Sequence, residues 1–184
     1  MPRLFIGLEI PAQVGNYLGA LRGGIPGARF IEPSDYHITL RFIGDIDIRM
    51  ANEIADMLGA VRRKSFTLRL SELRSFGKDS PHSIVATLHP SPELTELQAE
   101  LERMMQRLGF PSEGRKYTPH ITIARLKNSG VRDVGEWIVT RSPLSSAPFP
   151  VNRFVLFSSR ASTGGGPYIV EGEYPLSAGV AVQK

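Results

Sequence analysis

Residues 37–43 read H-I-T-L-R-F-I and residues 120–126 read H-I-T-I-A-R-L. In an extended chain residues two apart share a face, so His37 and Thr39 point one way while Ile38 and Leu40 point the other. His120 and Thr122 repeat that division against Ile121 and Ile123. The chain has 4 His in 184 residues. At average-like composition, two of four histidines opening the same His-Ile-Thr triplet arises by chance on the order of once in ten thousand sequences. The aliphatic pair can anchor each strand in a core while imidazole and hydroxyl face a cleft.

The flanking residues repeat as well. Residues 3–9 are predicted as a strand, 11–22 as a helix stopped by Gly23-Gly24, and 37–43 as a strand. A helix over 47–63 carries Ile48, Ala51, Ile54, Ala55, Leu58 and Val61, and the two-residue alternation of 66–73 suits a strand. A second series starts at residue 84: strand 84–88, a helix capped by Ser91 with Pro92 first inside it, strand 120–126 and a helix over 131–140. Val131, Val134 and Ile138 are its expected inward positions. The Leu94, Leu97, Leu101, Met104, Met105 and Leu108 stripe reads as core, with Gly109 ending the helix. Residues 151–158 and 167–174 read as strands flanking a turn at Gly164-Gly165-Gly166-Pro167, and 79–92 and 142–150 as connections. A duplicated unit, roughly 3–73 and 84–174 within one domain spanning 1–184, accounts for this order. Its natural arrangement is two lobes sharing a cleft.

Composition narrows the function classes. Hydrophobic residues make up 41% and charged residues 22%, an ordinary globular balance with enough apolar material for a core. Formal net charge is +4, which permits an anionic ligand without requiring one. With no cysteine, disulfides, thiolate nucleophiles, iron–sulfur clusters and Cys-based zinc sites are excluded. The apolar run at the N-terminus stops at Glu9, too short for a signal peptide, and no stretch approaches a membrane span. A soluble cytoplasmic protein is the expectation. Gly164-Gly165-Gly166 lacks the Gly-Lys-Ser/Thr of a phosphate loop, no H-E-x-x-H occurs, and no G-x-S-x-G marks a nucleophile elbow. No metal or cofactor is read from the sequence.

What remains is the pair of His-x-Thr strands. Two imidazoles converging on one anion supply a base and an acid titrating near neutrality, and two hydroxyls can donate to non-bridging phosphate oxygens. That is sufficient for metal-independent phosphoryl chemistry. Arg41 falls on the His37 face by alternation and reads either as positive potential in the cleft or as a solvated edge residue. Arg62-Arg63-Lys64 reads as the basic end of a helix. His82 and His89, beside prolines, read as surface residues.

H-I-T-L-R-F-I-G and T-P-H-I-T-I-A-R resemble the paired motifs of the two-histidine phosphoesterases. More closely, the chain resembles the RNA 2′,3′-cyclic phosphodiesterases, the LigT-like proteins formerly called 2′-5′ RNA ligases. The likeness runs nearly end to end, through R-L-F-I-G-L-E-I-P, P-S-D-Y before the first motif, the leucine helix at 94–101, F-V-L-F-S-S-R and the Gly-rich turn leading to Tyr168. Phe30 stands where that family frequently has tryptophan.

The resemblance implies an α+β fold of two pseudo-symmetric lobes, mainly antiparallel sheet with helices outside, around a central cleft. It implies that His120 is the general base and His37 the general acid, although the residues themselves allow either order. It implies that Thr39 and Thr122 bind phosphate and that Arg125 contacts substrate through a phosphate or a base. The implied partner is an RNA end or nucleotide bearing a 2′,3′-cyclic phosphate, met by a monomer without a cofactor or an obligate protein partner. Small cyclic nucleotides, 2′-5′ oligonucleotides, 2′-5′ joining of RNA ends and a non-catalytic RNA-binding role are the alternatives.

Overall fold

The computed structural model describes residues 3–159 and 167–178. It is an α+β fold whose main sheet holds eight strands, every pairing between strands being antiparallel. In chain order the elements are β1 (Arg3–Glu9), α1 (Ala12–Gly19), β2 (Ala28–Phe30), β3 (His37–Asp45), α2 (Ile48–Leu58), β4 (Phe66–Leu68), β5 (Leu70–Phe76), β6 (Ser83–Leu88), α3 (Pro92–Arg107), β7 (His120–Leu126), α4 (Val131–Thr140), β8 (Phe149–Val151), β9 (Arg153–Ser159) and β10 (Tyr168–Pro175). The sheet runs β10-β9-β1-β3-β7-β6-β5, with β2 also on β7, while β4 and β8 form a separate ribbon.

Strands β3 and β7 meet at one residue pair, Ile38 opposite Ile121, and then diverge. That junction joins two lobes. One contains β1, β3, β9 and β10; the other contains β7, β6, β5 and β2. Each lobe borrows from the opposite half of the chain: β9 pairs β1 from Arg3↔Ser159 to Gly7↔Val155, and β5 pairs β6 from Leu70↔Leu88 to Phe76↔Ser83.

Alternation assigns the faces. Leu4, Ile6, Leu8, Ile38, Leu40, Ile121 and Ile123 are buried in one core with Leu18 of α1, Ile54 and Leu58 of α2, Leu94, Leu97 and Leu101 of α3, and Val134 and Trp137 of α4. Burying such side chains contributes roughly 1.5–3 kcal/mol each. The helices therefore cover one face of the sheet. His37, Thr39, His120 and Thr122, the alternate positions, stay half-buried.

Several boundaries differ from the expectation. The stripe over 47–63 ends as a helix at Leu58, after Asp47 caps its start by accepting a hydrogen bond from Met50 N at 2.8 Å. Arg62-Arg63-Lys64 thus lies beyond the helix, and Arg63 reaches Glu96 and Glu100 of α3 instead. The 66–73 strand breaks into β4 and β5, because β4 pairs β8 and β5 pairs β6. Short strand β2 falls where no strand was expected, and β8 spans the end of the 142–150 connection and the first residue, Val151, of the strand expected over 151–158, which itself begins at Arg153 as β9. In α4, Val131 is exposed and Trp137 takes the inward position, its indole N–H donating to Gly23 O at 2.7 Å and its ring 6.0 Å from Phe30. Ser91 caps α3 as read, accepting from Leu94 N. The glycines of the turn at 164–167 lie outside the described residues.

Candidate active site

The two histidines are held in the same way. A 3-10 turn at Pro33–Asp35 precedes β3 and brings the Asp35 carbonyl 2.9 Å from His37 Nδ1. Before β7, Thr118 precedes Pro119, which favours extended backbone there, and its carbonyl lies 2.7 Å from His120 Nδ1. A carbonyl only accepts, so each Nδ1 carries the proton and donates it. In the neutral ring Nε2 is then the free basic edge on both sides.

The surroundings of the rings differ. His37 sits among aromatics, 4.9 Å from Phe5, 5.0 Å from Tyr168 and 5.9 Å from Phe157 between ring centroids. Phe5, Val155 and Phe157 form a second buried cluster on this face, apart from the main core. His120 takes the edge of Phe76 at 4.9 Å, and Phe76 comes from β5, in the opposite half of the chain.

Burial lowers the affinity of both imidazoles for a proton, more than the carbonyl bonds raise it. The Arg125 guanidinium adds to the lowering at both rings, and the charge of His120 adds to it at His37. One cation thus bears on both histidines. Arg125 is exposed and, among the described residues, has no carboxylate partner. Thr39 lies opposite Gly7 on β1, and Thr122 opposite Val85 on β6. All five residues singled out in the sequence therefore lie on the two strands that meet at the lobe junction.

Two cavities open here. The smaller, about 140 Å³, is lined by Glu9, Asp35, Tyr36, His37, Phe157 and Tyr168 among others. The larger, about 420 Å³, runs from Thr39 and His120 past Phe42, Phe76 and His82 to Arg115 and Lys116.

Arg41 is no solvated edge residue: it lines the larger cavity, but with its charge already paired. The β1–β3 register slips between Ile6 and Gly7, opposite Arg41 and Thr39, and both Leu40 and Arg41 are buried. The Arg41 side chain, 6% exposed, is 2.9 Å from Glu102 and 2.7 Å from Glu113, and donates to the Pro111 carbonyl. Its charge is therefore neutralised within the protein. His82, read as a surface residue, is exposed but lines the larger cavity. The aromatic box around His37 escaped the sequence reading, since Phe5, Phe157 and Tyr168 come from strands distant in sequence.

Two imidazoles with free Nε2 edges, two hydroxyls and one cation on the two strands that meet at the lobe junction make a class of site suited to acid–base chemistry on a phosphate ester. The family model of the 2′-5′ RNA ligase superfamily matches residues 11–163. The chain belongs to that superfamily. A curated relative from Aeropyrum pernix, named RNA 2′,3′-cyclic phosphodiesterase, is 34% identical over 108 residues, 58% of this chain and 61% of its own. One of the same name from Geobacillus stearothermophilus is 30% identical over 81% of this chain and 48% of its own. The chain thus spans less than two thirds of the length of these two relatives. A third, from Thermotoga maritima, is 28% identical over 94% of this chain and 92% of its own. The crystal structure of Escherichia coli LigT with 3′-AMP shares the fold, with TM-score 0.73 and 22% identity over 96% of this chain and 99% of that one. Among the described residues no helix is long and apolar enough to cross a membrane.

Proposed function

We propose that this protein is an RNA 2′,3′-cyclic phosphodiesterase, hydrolysing a terminal cyclic phosphate to a 2′-phosphate by two-histidine acid–base catalysis. The observation that carries the reading is the matched bond from each Nδ1 to the carbonyl two residues earlier, which presents two Nε2 atoms on the strands that meet at the lobe junction. The names of the relatives support the substrate.

His120 Nε2 removes a proton from water as its oxygen attacks phosphorus. The P–O3′ bond breaks in line, and His37, protonated at Nε2, gives its proton to the departing 3′ oxygen. The phosphate remains on the 2′ oxygen, and proton exchange with solvent restores the pair. Thr39 and Thr122 donate hydrogen bonds to the non-bridging oxygens, and Arg125 offsets the charge that grows on them. The order of acid and base follows the family resemblance.

The catalytic unit is one two-lobed phosphoesterase domain, descended from a duplicated segment represented by 3–73 and 84–174. The shared strand-helix-strand-helix-strand order, with β2 an addition in the first segment, and the equal place of the His-x-Thr strands support this. It acts as a monomer in the cytoplasm, consistent with a site built wholly from one chain and with the absence of cysteine.

The test is turnover of an RNA oligonucleotide ending in a 2′,3′-cyclic phosphate, in EDTA, with the product end mapped. A 2′-phosphate product is expected. A folded protein that leaves the cyclic phosphate intact overturns the reading.

A further inference from the structure

The larger cavity takes in Thr39 and His120, while His37 lines the smaller one, and one wall of the larger cavity is a braced segment. Residues 108–119 connect α3 to β7, and three bonds tie that connection to β3, one of them from Arg41 to the Pro111 carbonyl. The Tyr117 hydroxyl donates to Thr39 O at 2.8 Å, and Arg41 Nη1 donates to Glu113 Oε1 at 2.7 Å. Glu113 N in turn donates to Glu102 Oε1 at 2.9 Å. Arg115 and Lys116 lie between the Glu113 and Tyr117 tethers, exposed, and both line the cavity. Neither has an ion-pair partner among the described residues.

The charge balance of the lining is therefore one-sided. Among the described residues Glu113 is its one carboxylate and is paired with Arg41, while Arg115 and Lys116 stay uncompensated. Phe76 and Phe42, the latter 44% exposed, add ring surface beside the cations. Cations with aromatic faces along a groove suit a single nucleic-acid strand, whose phosphodiesters need positive charge and whose bases offer a π-face. An RNA bearing a cyclic phosphate at its 3′ end continues from the reacting centre through its 5′ side, so a groove leaving that centre has a strand to receive.

We propose that the cavity walled by residues 113–118 is a subsite for the RNA immediately 5′ of the cyclic end, with Arg115 and Lys116 holding its phosphodiester and Phe42 and Phe76 its bases. This rests on the phosphodiesterase reading and deepens it by naming the residues that hold the strand beyond its terminal nucleotide. The brace sets the subsite's geometry: Tyr117 and Glu113 fix the backbone on both sides of the two cations, so they need not be ordered at the moment of binding.

The test compares a trinucleotide ending in a 2′,3′-cyclic phosphate with the cyclic mononucleotide of the same terminal base. The wild-type protein should favour the trinucleotide by about tenfold or more in kcat/KM, and the Arg115→Ala/Lys116→Ala variant should lose most of that preference through KM. In parallel, fluorescence anisotropy follows a labelled trinucleotide ending in an unreactive 3′-phosphate across a salt series. The double variant should bind more weakly, with the slope of log affinity against log salt flatter by about 0.7 for each phosphate it no longer neutralises. Equal preference in the two proteins, or a wild type that favours the mononucleotide, overturns the subsite while leaving the phosphodiesterase reading intact. Turnover of neither substrate overturns that reading, and the anisotropy series then decides the subsite alone: an unchanged salt slope refutes it.

Discussion

Replacing Arg41 with Met should destabilise the protein by about 3–5 kcal/mol, although Arg41 is no part of the chemistry. The arginine is 6% exposed and its partner Glu102 16%, with 2.9 Å between Nε and Oε2. That approach is an ion pair without hydrogen-bond alignment, since neither atom finds a properly directed partner. Removing one member of a buried pair leaves the other charged and desolvated, a cost of about 3–5 kcal/mol. Glu113 is 49% exposed, so freeing it from Arg41 adds at most about 1 kcal/mol. Against a typical total of about 5–15 kcal/mol this is a large fraction. At about 2–4 °C per kcal/mol for a chain of this size, the melting temperature should fall by roughly 6–20 °C. Urea unfolding followed by circular dichroism measures the loss, and a cycle with Glu102→Gln isolates its cause. The double variant retains no unpaired buried charge at this pair, so it should recover at least about 1 kcal/mol relative to the sum of the singles. An Arg41→Met loss below about 1 kcal/mol, or a strictly additive cycle, would refute the account of this cluster.

His37→Ala and His120→Ala should each lower kcat by about a hundred- to ten-thousand-fold while circular dichroism stays native; near wild-type turnover in either removes that histidine from the mechanism. Both imidazoles bind protons less readily than an ordinary histidine, so the bell of kcat/KM against pH should centre on the acid side of about 6.5, and an optimum above 7 contradicts the burial argument. The same shift gives the folded state fewer bound protons than the unfolded chain just below that pH. Stability should therefore fall on acidification from about 6.5 through the lowered values, a slope that thermal melts of His37→Gln should show reduced. Gly7→Ala would place a methyl 2.7 Å from the Ile38 carbonyl and 3.3 Å from the Phe157 ring, forcing β1 from β3. A cost of about 1–3 kcal/mol is expected by denaturant titration, with turnover falling as the His37 strand shifts.

The candidate site residues were legible because the pattern that marks them is local. A strand that must present imidazole and hydroxyl on one face and aliphatics on the other writes that demand into consecutive positions, twice. The α3 stripe, with its Ser91 cap, was legible for the same reason. What failed depends on partners distant in sequence. Alternation put Arg41 beside His37, but it assumes an unbroken pleat, and the slipped register turns that side chain toward Glu102. His82 carried no pattern of its own and acquires a place in the cleft only through the packing of β6 beside β7. Strand β2 has three residues, too few for any periodicity, and exists because the free edge of β7 past Ile121 accepts it. Val131 matched the helical spacing, yet Trp137, further along α4, offered more area to bury and an N–H that Gly23 could accept.

The exchange of strands between the halves has a consequence for how the molecule is made. A ribosome delivers β1 and β3 early, but the edge of β1 that will carry β9 stays open until residues 153–159 emerge, more than a hundred residues later. The early hairpin partner of β6, by contrast, waits ready in β5. The His120 lobe can thus close during synthesis, whereas the His37 lobe, including the Phe157 that packs against His37, must await the last quarter of the chain. Vectorial synthesis should therefore yield a lopsided nascent chain with one finished wall of the cleft and one unzipped sheet edge, the kind of edge that invites aggregation. A chain severed in the connection between β5 and β6 would leave neither lobe whole, so the two copies of the motif, however alike, are no longer separable.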